Sequence, residues 1–204
     1  MKKLLPNLIL IVSIFFVTSC KKSNDSVPNY DYINSYLPLK SGNEWTYLHN
    51  DKDTVIAKVG DSFSQGLQTF NKVGDMYYSQ VNDKYYMMIY PGGGIGFSVP
   101  ILDASQFKGY SITTKDSTAF SSDPTPVLSM MTIVDNNSIK TVNGQTYKNV
   151  IHTVVDVYQA FNGEYMNIQT YDFYFSFGIG LIEIDKSNAD VVYDTLTIVN
   201  YKLT

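Results

Sequence analysis

The sequence predicts a mainly β protein, a single antiparallel domain built as a strongly curved sheet, a β-sandwich or an open barrel. Three observations predict it. Short apolar or aromatic runs alternate with turn signals, and no stretch long enough for a globular helix has an amphipathic 3.6-residue period. The runs are joined so closely that neighbours must pair antiparallel, because a parallel pair needs a crossover of about a dozen residues or more. Seventeen tyrosines and eleven phenylalanines supply the aromatic pairs that stabilise sheets across strands.

The domain follows a three-part leader. Lys2 and Lys3 form a positive start, and Leu8 to Val17 form an apolar core too short to cross a bilayer as a permanent helix. Val17-Thr18-Ser19-Cys20 then supplies a branched aliphatic residue, two small residues and the only cysteine of the chain. This is the pattern of a bacterial lipoprotein signal, with cleavage between Ser19 and Cys20 and acylation of Cys20. Each buried lipid methylene contributes about 0.8 kcal/mol, so several acyl chains (palmitate or similar) would hold the protein on a membrane. Residues 1–19 are thus read as the leader, 20–35 as the lipidated cysteine and a polar tether, and 36–204 as the antiparallel domain. Lys21, in the place of an aspartate that would retain the protein at the inner membrane, points to the outer membrane of the cell envelope.

Composition limits the partners. The chain is formally −4 and has no arginine, and losing Lys2 and Lys3 with the leader makes it more acidic. Such a surface is poorly equipped to clamp phosphates, so no nucleic-acid partner is expected. With Cys20 acylated, no thiol remains for a disulfide, a thiolate metal site or a nucleophile. The partners left are the membrane, through the N-terminal lipid, and a lipid, a glycan or an outer-membrane protein.

Taken in order, the domain begins at Tyr36 to Tyr47, where Leu37, Leu39 and Trp45 are apolar around a Ser-Gly-Asn turn. The lone tryptophan is read as a core anchor. Strands are predicted at 44–48, 54–59, 69–73, 76–81, 85–90, 96–99, 127–134, 138–142, 147–158, 164–175, 181–184 and 191–201. Asn143-Gly144 and Asn162-Gly163 are dipeptides of tight hairpins, because both residue types accept positive φ. Residues 101–126 are read as a long irregular loop, with a short helix around Asp103 to Phe107. Gly66 to Val73 resembles Gly144 to Val150, which leaves open whether two similar meanders build the sheet or the likeness is chance.

Leu37-Pro38-Leu39 with Gly42-Asn43-Glu44-Trp45-Thr46-Tyr47, then Val142 to Tyr147, and finally Tyr174 to Ile184 resemble a pattern found in secreted lipoproteins of Bacteroidota-type bacteria. The resemblance spans most of the chain beyond the leader. Its motifs are turns and core aromatics, so it implies an all-β fold and an envelope address, and it carries no activity with it.

The chemical motifs are sparse. Pro91 to Gly96 is glycine-rich but has no following helix and no Lys-Ser/Thr, so it reads as a hairpin or bulge and not a phosphate cradle. His152 and Asp156 share one strand face about 13 Å apart, too far for an acid–base pair. Only His49 and His152 are present, and no metal site or other cofactor is expected. Glu183 and Asp185, opposite Ile182 and Ile184, read as a solvated face rather than a carboxylate pair or calcium site. Asp25-Ser26-Val27 and Asp116-Ser117-Thr118 are similar to the O-glycosylation sequon of Bacteroidota envelopes, which makes Ser26 and Ser117 candidates; Thr54 and Thr195 read as ordinary strand threonines.

Two strands, Tyr85 to Tyr90 and Tyr165 to Phe175, carry bulky groups on both faces. Either both faces are covered, as in a sandwich, or one lines an apolar cavity, with Tyr86, Tyr90, Tyr171 and Tyr174 as the lining candidates. The expected role is a membrane-anchored binding module for an envelope lipid or glycan, the alternative a structural subunit of an outer-membrane complex. Catalysis is not expected, because no nucleophile, base and metal set converges in the sequence; a cavity holding His49 or His152 beside two carboxylates would reopen the case for a hydrolase.

Overall fold

A computed structural model describes residues 35–89, 96–118, 125–189 and 191–204. Twelve strands follow one another as β1 (Glu44–His49), β2 (Asp53–Gln65), β3 (Gln68–Val73), β4 (Met76–Val81), β5 (Lys84–Ile89) and β6 (Phe97–Asp103). The second half is β7 (Ser111–Thr118), β8 (Thr125–Val142), β9 (Gln145–Phe161), β10 (Glu164–Ser176), β11 (Gly180–Asn188) and β12 (Val191–Lys202). They form one antiparallel sheet in the order β6-β5-β4-β3-β2-β1-β12-β11-β10-β9-β8-β7. Consecutive strands therefore pair except β6 and β7, which lie at the two edges, and the two halves join at the centre, where β1 meets β12. The sheet is curved until it is a nearly closed barrel, as the strand pattern predicts.

The hairpins form where the turn chemistry says they should. Asn143 and Gly144 have φ of 50° and 79°, and Asn162 and Gly163 have 52° and 86°, so both residues of each turn are left-handed and match the twist of the flanking strands. Gly66, also left-handed, turns β2 into β3. The two segments that resemble each other thus both run through a hairpin, one in each half of the sheet.

The region read as an irregular loop differs from expectation. It contains the end of β6 and all of β7, and Asp103 to Phe107 is a turn, not a helix. Asp103 Oδ1 accepts from the backbone N–H and the hydroxyl of Ser105, at 3.2 and 2.6 Å, which gives the chain a turn in place of helical bonds. β7 is Ser-Ile-Thr-Thr-Lys-Asp-Ser-Thr, too polar to show an apolar period, and it lies at the edge of the sheet, where one face is wet. The segments predicted at 127–134 and 138–142 are one strand, β8, whose pairing with β9 shifts register three times between Ile133 and Lys140.

Rows of side chains across the sheet define its faces. Met131, Val155, Tyr171, Lys186 and Asp194 are directly paired from β8 to β12, and they point to the concave side. The next concave row carries Ile133, Thr153, Phe173, Ile184 and Leu196. Tyr171, Phe173 and Phe175 stack in sequence along β10 with ring centres 5.7 Å apart, and both phenylalanines are completely buried. Each such phenylalanine contributes roughly 1.5–3 kcal/mol by leaving water.

The barrel closes by overlap and not by backbone pairing. β6 tucks inside the curl of β7–β9, where the Thr153 hydroxyl donates to the Ile101 carbonyl at 2.7 Å. Both faces of β6 are consequently covered, which is why Phe97, Val99, Ile101 and Leu102 are all buried. The opposite end is crossed by residues 35–39. Ser35 accepts from the Gly178 N–H at 2.9 Å on one side, and the Tyr36 N–H donates to the Tyr85 hydroxyl at 3.2 Å on the other. Leu37 and Leu39 fill the space between.

Candidate functional site

The concave face holds a cleft of about 320 Å³, bounded by β1 to β4, β11, β12 and the crossing segment. The β1 alternation puts Trp45, Tyr47 and His49 on its wall, and β2 adds Val55 and Ala57. Leu37, Val73, Met76, Tyr78, Leu181 and Leu196 complete an almost wholly apolar lining. Ala57 matters by being small: it pairs directly with Trp45, and a larger residue would fill the space beside the indole.

Trp45 is held in place at the inner end. Its Nε1–H donates to the Ile179 carbonyl at 2.7 Å, and its ring lies on Gly180. The Tyr47 hydroxyl donates to the Leu181 carbonyl at 2.8 Å. Burial pushes the Tyr47 phenol well above its ordinary pKa, with Tyr78 and Tyr147 nearby adding to the rise, so it stays a neutral donor. Burial pushes Tyr78 up in the same way, with Tyr171 adding to the rise.

Polar groups gather at the other end of the cleft. Asp194 accepts from Lys186 Nζ through Oδ2 at 2.5 Å and bonds His49 Nε2 through Oδ1 at 2.6 Å. Burial works to raise the Asp194 pKa, but the hydrogen bonds and charges of Lys186 and His49 outweigh it and hold the carboxyl below its ordinary value. Asp75, in the turn between β3 and β4, is exposed and also lines the cleft. The cleft is thus amphipathic, with a mainly apolar lining, a hydrogen-bonded group of Asp194, Lys186 and His49, and the exposed carboxylate of Asp75.

The aromatic residues singled out in the sequence do not form one wall. Tyr171 lies on the concave face, where burial is the main cause of a pKa pushed up to about 12. Tyr174, three residues on, points to the convex face. There it stacks on His152 at 4.2 Å, with Lys140 Nζ 3.5 Å from its ring centre. Tyr86 lines a second cavity of about 60 Å³ between β5–β6 and β7–β8, with Pro100, Leu102 and Met131. Tyr90, like Ser19, Cys20 and Ser26, lies outside the described residues. Ser117, expected in a flexible segment, falls in β7 opposite Pro126.

His152 does not reach Asp156; its Nε2 bonds Asp172 Oδ1 at 2.8 Å. Glu183 is not fully solvated. The far part of the β8–β9 hairpin leans over it, with Lys140 Nζ 3.0 Å from Oε1, and the Asn143 amide reaches Thr197 Oγ1 and the Ile198 carbonyl, both at 3.0 Å. Burial raises the Glu183 pKa despite Lys140, and Asp185, hydrogen-bonded to it, adds to the rise. Sequence reasoning missed the His49–Asp194–Lys186 rim altogether. His49 and Asp194 are 145 residues apart and meet only because β1 pairs with β12.

Fold and cleft together define an all-β, single-sheet open barrel with an amphipathic internal cleft. Solved structures with a similar course of chain include a protein of Parabacteroides distasonis provisionally described as a lipoprotein. It superposes with a TM-score of 0.51 at 10% identity, covering 83% of this chain and 99% of that one. A Bacteroides fragilis protein provisionally described as exported, with a YmcC-like fold, matches at a TM-score of 0.39 and 9% identity over 80% of this chain and 97% of its own; so loose a match supports no argument. No family model matches the sequence. No curated protein matches it.

Proposed function

We propose that the protein is exported, acylated at Cys20 and held on a membrane of the cell envelope, the outer membrane in our reading, where its cleft binds the apolar part of an envelope lipid. The observation that carries this is the cleft itself. Its volume of about 320 Å³ lies at the lower end of ligand-binding cavities, and its lining is apolar except at one rim. The lipoprotein signal and the similar fold of a Parabacteroides protein provisionally described as a lipoprotein support the address. A lipid is favoured over a glycan because a sugar needs many uncommitted hydrogen-bonding groups, and His49, Asp194 and Lys186 are already bonded to one another, which leaves Asp75 alone among the charged lining groups without such a bond.

The cleft does hold His49 with two carboxylates, Asp194 at 2.6 Å and Asp75 elsewhere in the lining. We read it as an orienting group rather than a reactive one. Lys186 occupies the second oxygen of Asp194, and no serine, threonine or cysteine is among the lining residues. The alternative, a subunit of an outer-membrane assembly, is favoured by the exposed apolar run Val191, Val192 and Tyr193 at the start of β12.

Native mass spectrometry tests the reading. Residues 21–204, which contain the whole described sheet, are to be exported by a host cell, purified without detergent and weighed before and after denaturation. An added mass that is lost on denaturation, and is absent from Ala57→Phe, is expected. A bare protein mass, together with crosslinks from Val191 to Tyr193 to one envelope protein, would replace the lipid reading with the assembly reading.

A further inference from the structure

The charges at the rim bear on the kind of lipid, on the basis of the binding role just proposed. Four ionisable groups line the cleft besides its tyrosines: His49, Asp75, Lys186 and Asp194. Lys186 is the only lysine among the lining residues, and its ammonium is already bound to Asp194 at 2.5 Å. Counted as formal charges with histidine neutral, two carboxylates face one ammonium. A carboxylate or phosphate head entering here would meet net negative charge in a partly desolvated rim and find no free cation to compensate it. Asp75, by contrast, is exposed in its turn and has no side-chain partner among the contacts described, so it can accept from a hydroxyl or an ammonium.

We infer that the cleft selects a lipid whose head is not anionic and donates hydrogen bonds, a hydroxyl or amine head bonded to Asp75 with its chain packed on the apolar lining beside Trp45. The anionic glycerophospholipids and free fatty acids of the surrounding membrane are then discriminated against by charge, although their chains would fit the same apolar interior. This is the use of an unfavourable contact for specificity.

Trp45 makes the test direct, because it is the only tryptophan in the chain and it lines the cleft. Residues 21–204 are titrated with probes that carry the same brominated acyl chain and differ only in the head: a monoacylglycerol, an alkylamine, a fatty acid and a lysophospholipid with an anionic phosphate head. Bromine quenches tryptophan emission on contact, so quenching reports a chain in the cleft. At pH 8 the uncharged and cationic probes are expected to quench at concentrations at least tenfold lower than the two anionic ones. Asp75→Lys, a change in an exposed turn, is expected to erase or invert that ratio while leaving the thermal midpoint in place. Equal quenching by all four probes, unchanged in Asp75→Lys, overturns the head selectivity and leaves lipid binding standing. Absence of quenching by every probe overturns both.

Discussion

A β-carbon added to Gly180 would stand 3.1 Å from Trp45 Nε1 and 3.3 Å from two ring carbons, so the glycine is the surface on which the indole rests. The two residues come from motifs at opposite ends of the chain. Gly180 also has a φ of +115°, a conformation side chains rarely adopt. Gly180→Ala is therefore expected to cost about 2–4 kcal/mol, strain and overlap together. Gly163, at φ +86° with open space around it, is the control for strain alone. Its alanine variant should lose only about 1 kcal/mol in urea unfolding followed by Trp45 emission.

Asn43 ties the start of the domain to its end. It is buried; its amide donates to the Pro38 carbonyl at 2.9 Å, and its Oδ1 accepts from the Thr204 N–H at 2.9 Å and hydroxyl at 3.1 Å. Asn43→Ala strands these groups and is expected to cost about 2–4 kcal/mol. Deleting Thr204 removes only part of the set and should cost less than half as much, read from the same denaturation curves.

The seam rests on a side chain where a barrel would have a ladder. Thr153 is fully buried and its hydroxyl satisfies the Ile101 carbonyl. Thr153→Val keeps the shape and removes the bond, at an expected cost of about 1–2 kcal/mol. Hydrogen exchange should show the loss first in β6 amides, with β10 and β11 unchanged under native conditions. Uniform loss across all strands would mean that the seam does not open separately.

Asp194 gives the acid limb of stability. Its pKa is lower in the folded chain than in the unfolded one, so its contribution is fully present above the unfolded carboxyl value of about 4 and is lost as pH falls below that through the folded value. Asp194→Asn should lower the thermal midpoint at pH 7 and converge with the parent as the pH falls through the lowered folded value. Glu183 acts in the opposite sense. Its raised pKa means that ionisation weakens the fold as pH rises from the unfolded value through the higher folded one. Glu183→Gln should accordingly lose that decline as pH rises above the ordinary glutamate value of about 4, measured as the slope of midpoint against pH.

Much of this fold was legible in the residues. The alternating aromatic runs, the Asn-Gly turns and the absence of helical periodicity act over a few neighbours, and they determined an antiparallel meander, its hairpins and the role of Trp45 as an anchor. β7 was not legible, because an edge strand needs no apolar face and its threonines read equally well as loop. What the tertiary structure alone decided is where the sheet closes and therefore what meets what. The pairing of β1 with β12 brings His49 to Asp194, and the tucking of β6 inside the curl covers both faces of one half of the sheet while the other half keeps a cleft. Curvature and closure are sums of small twists over twelve strands, so no local stretch of sequence encodes them, and the cleft beside Trp45 is a product of that sum.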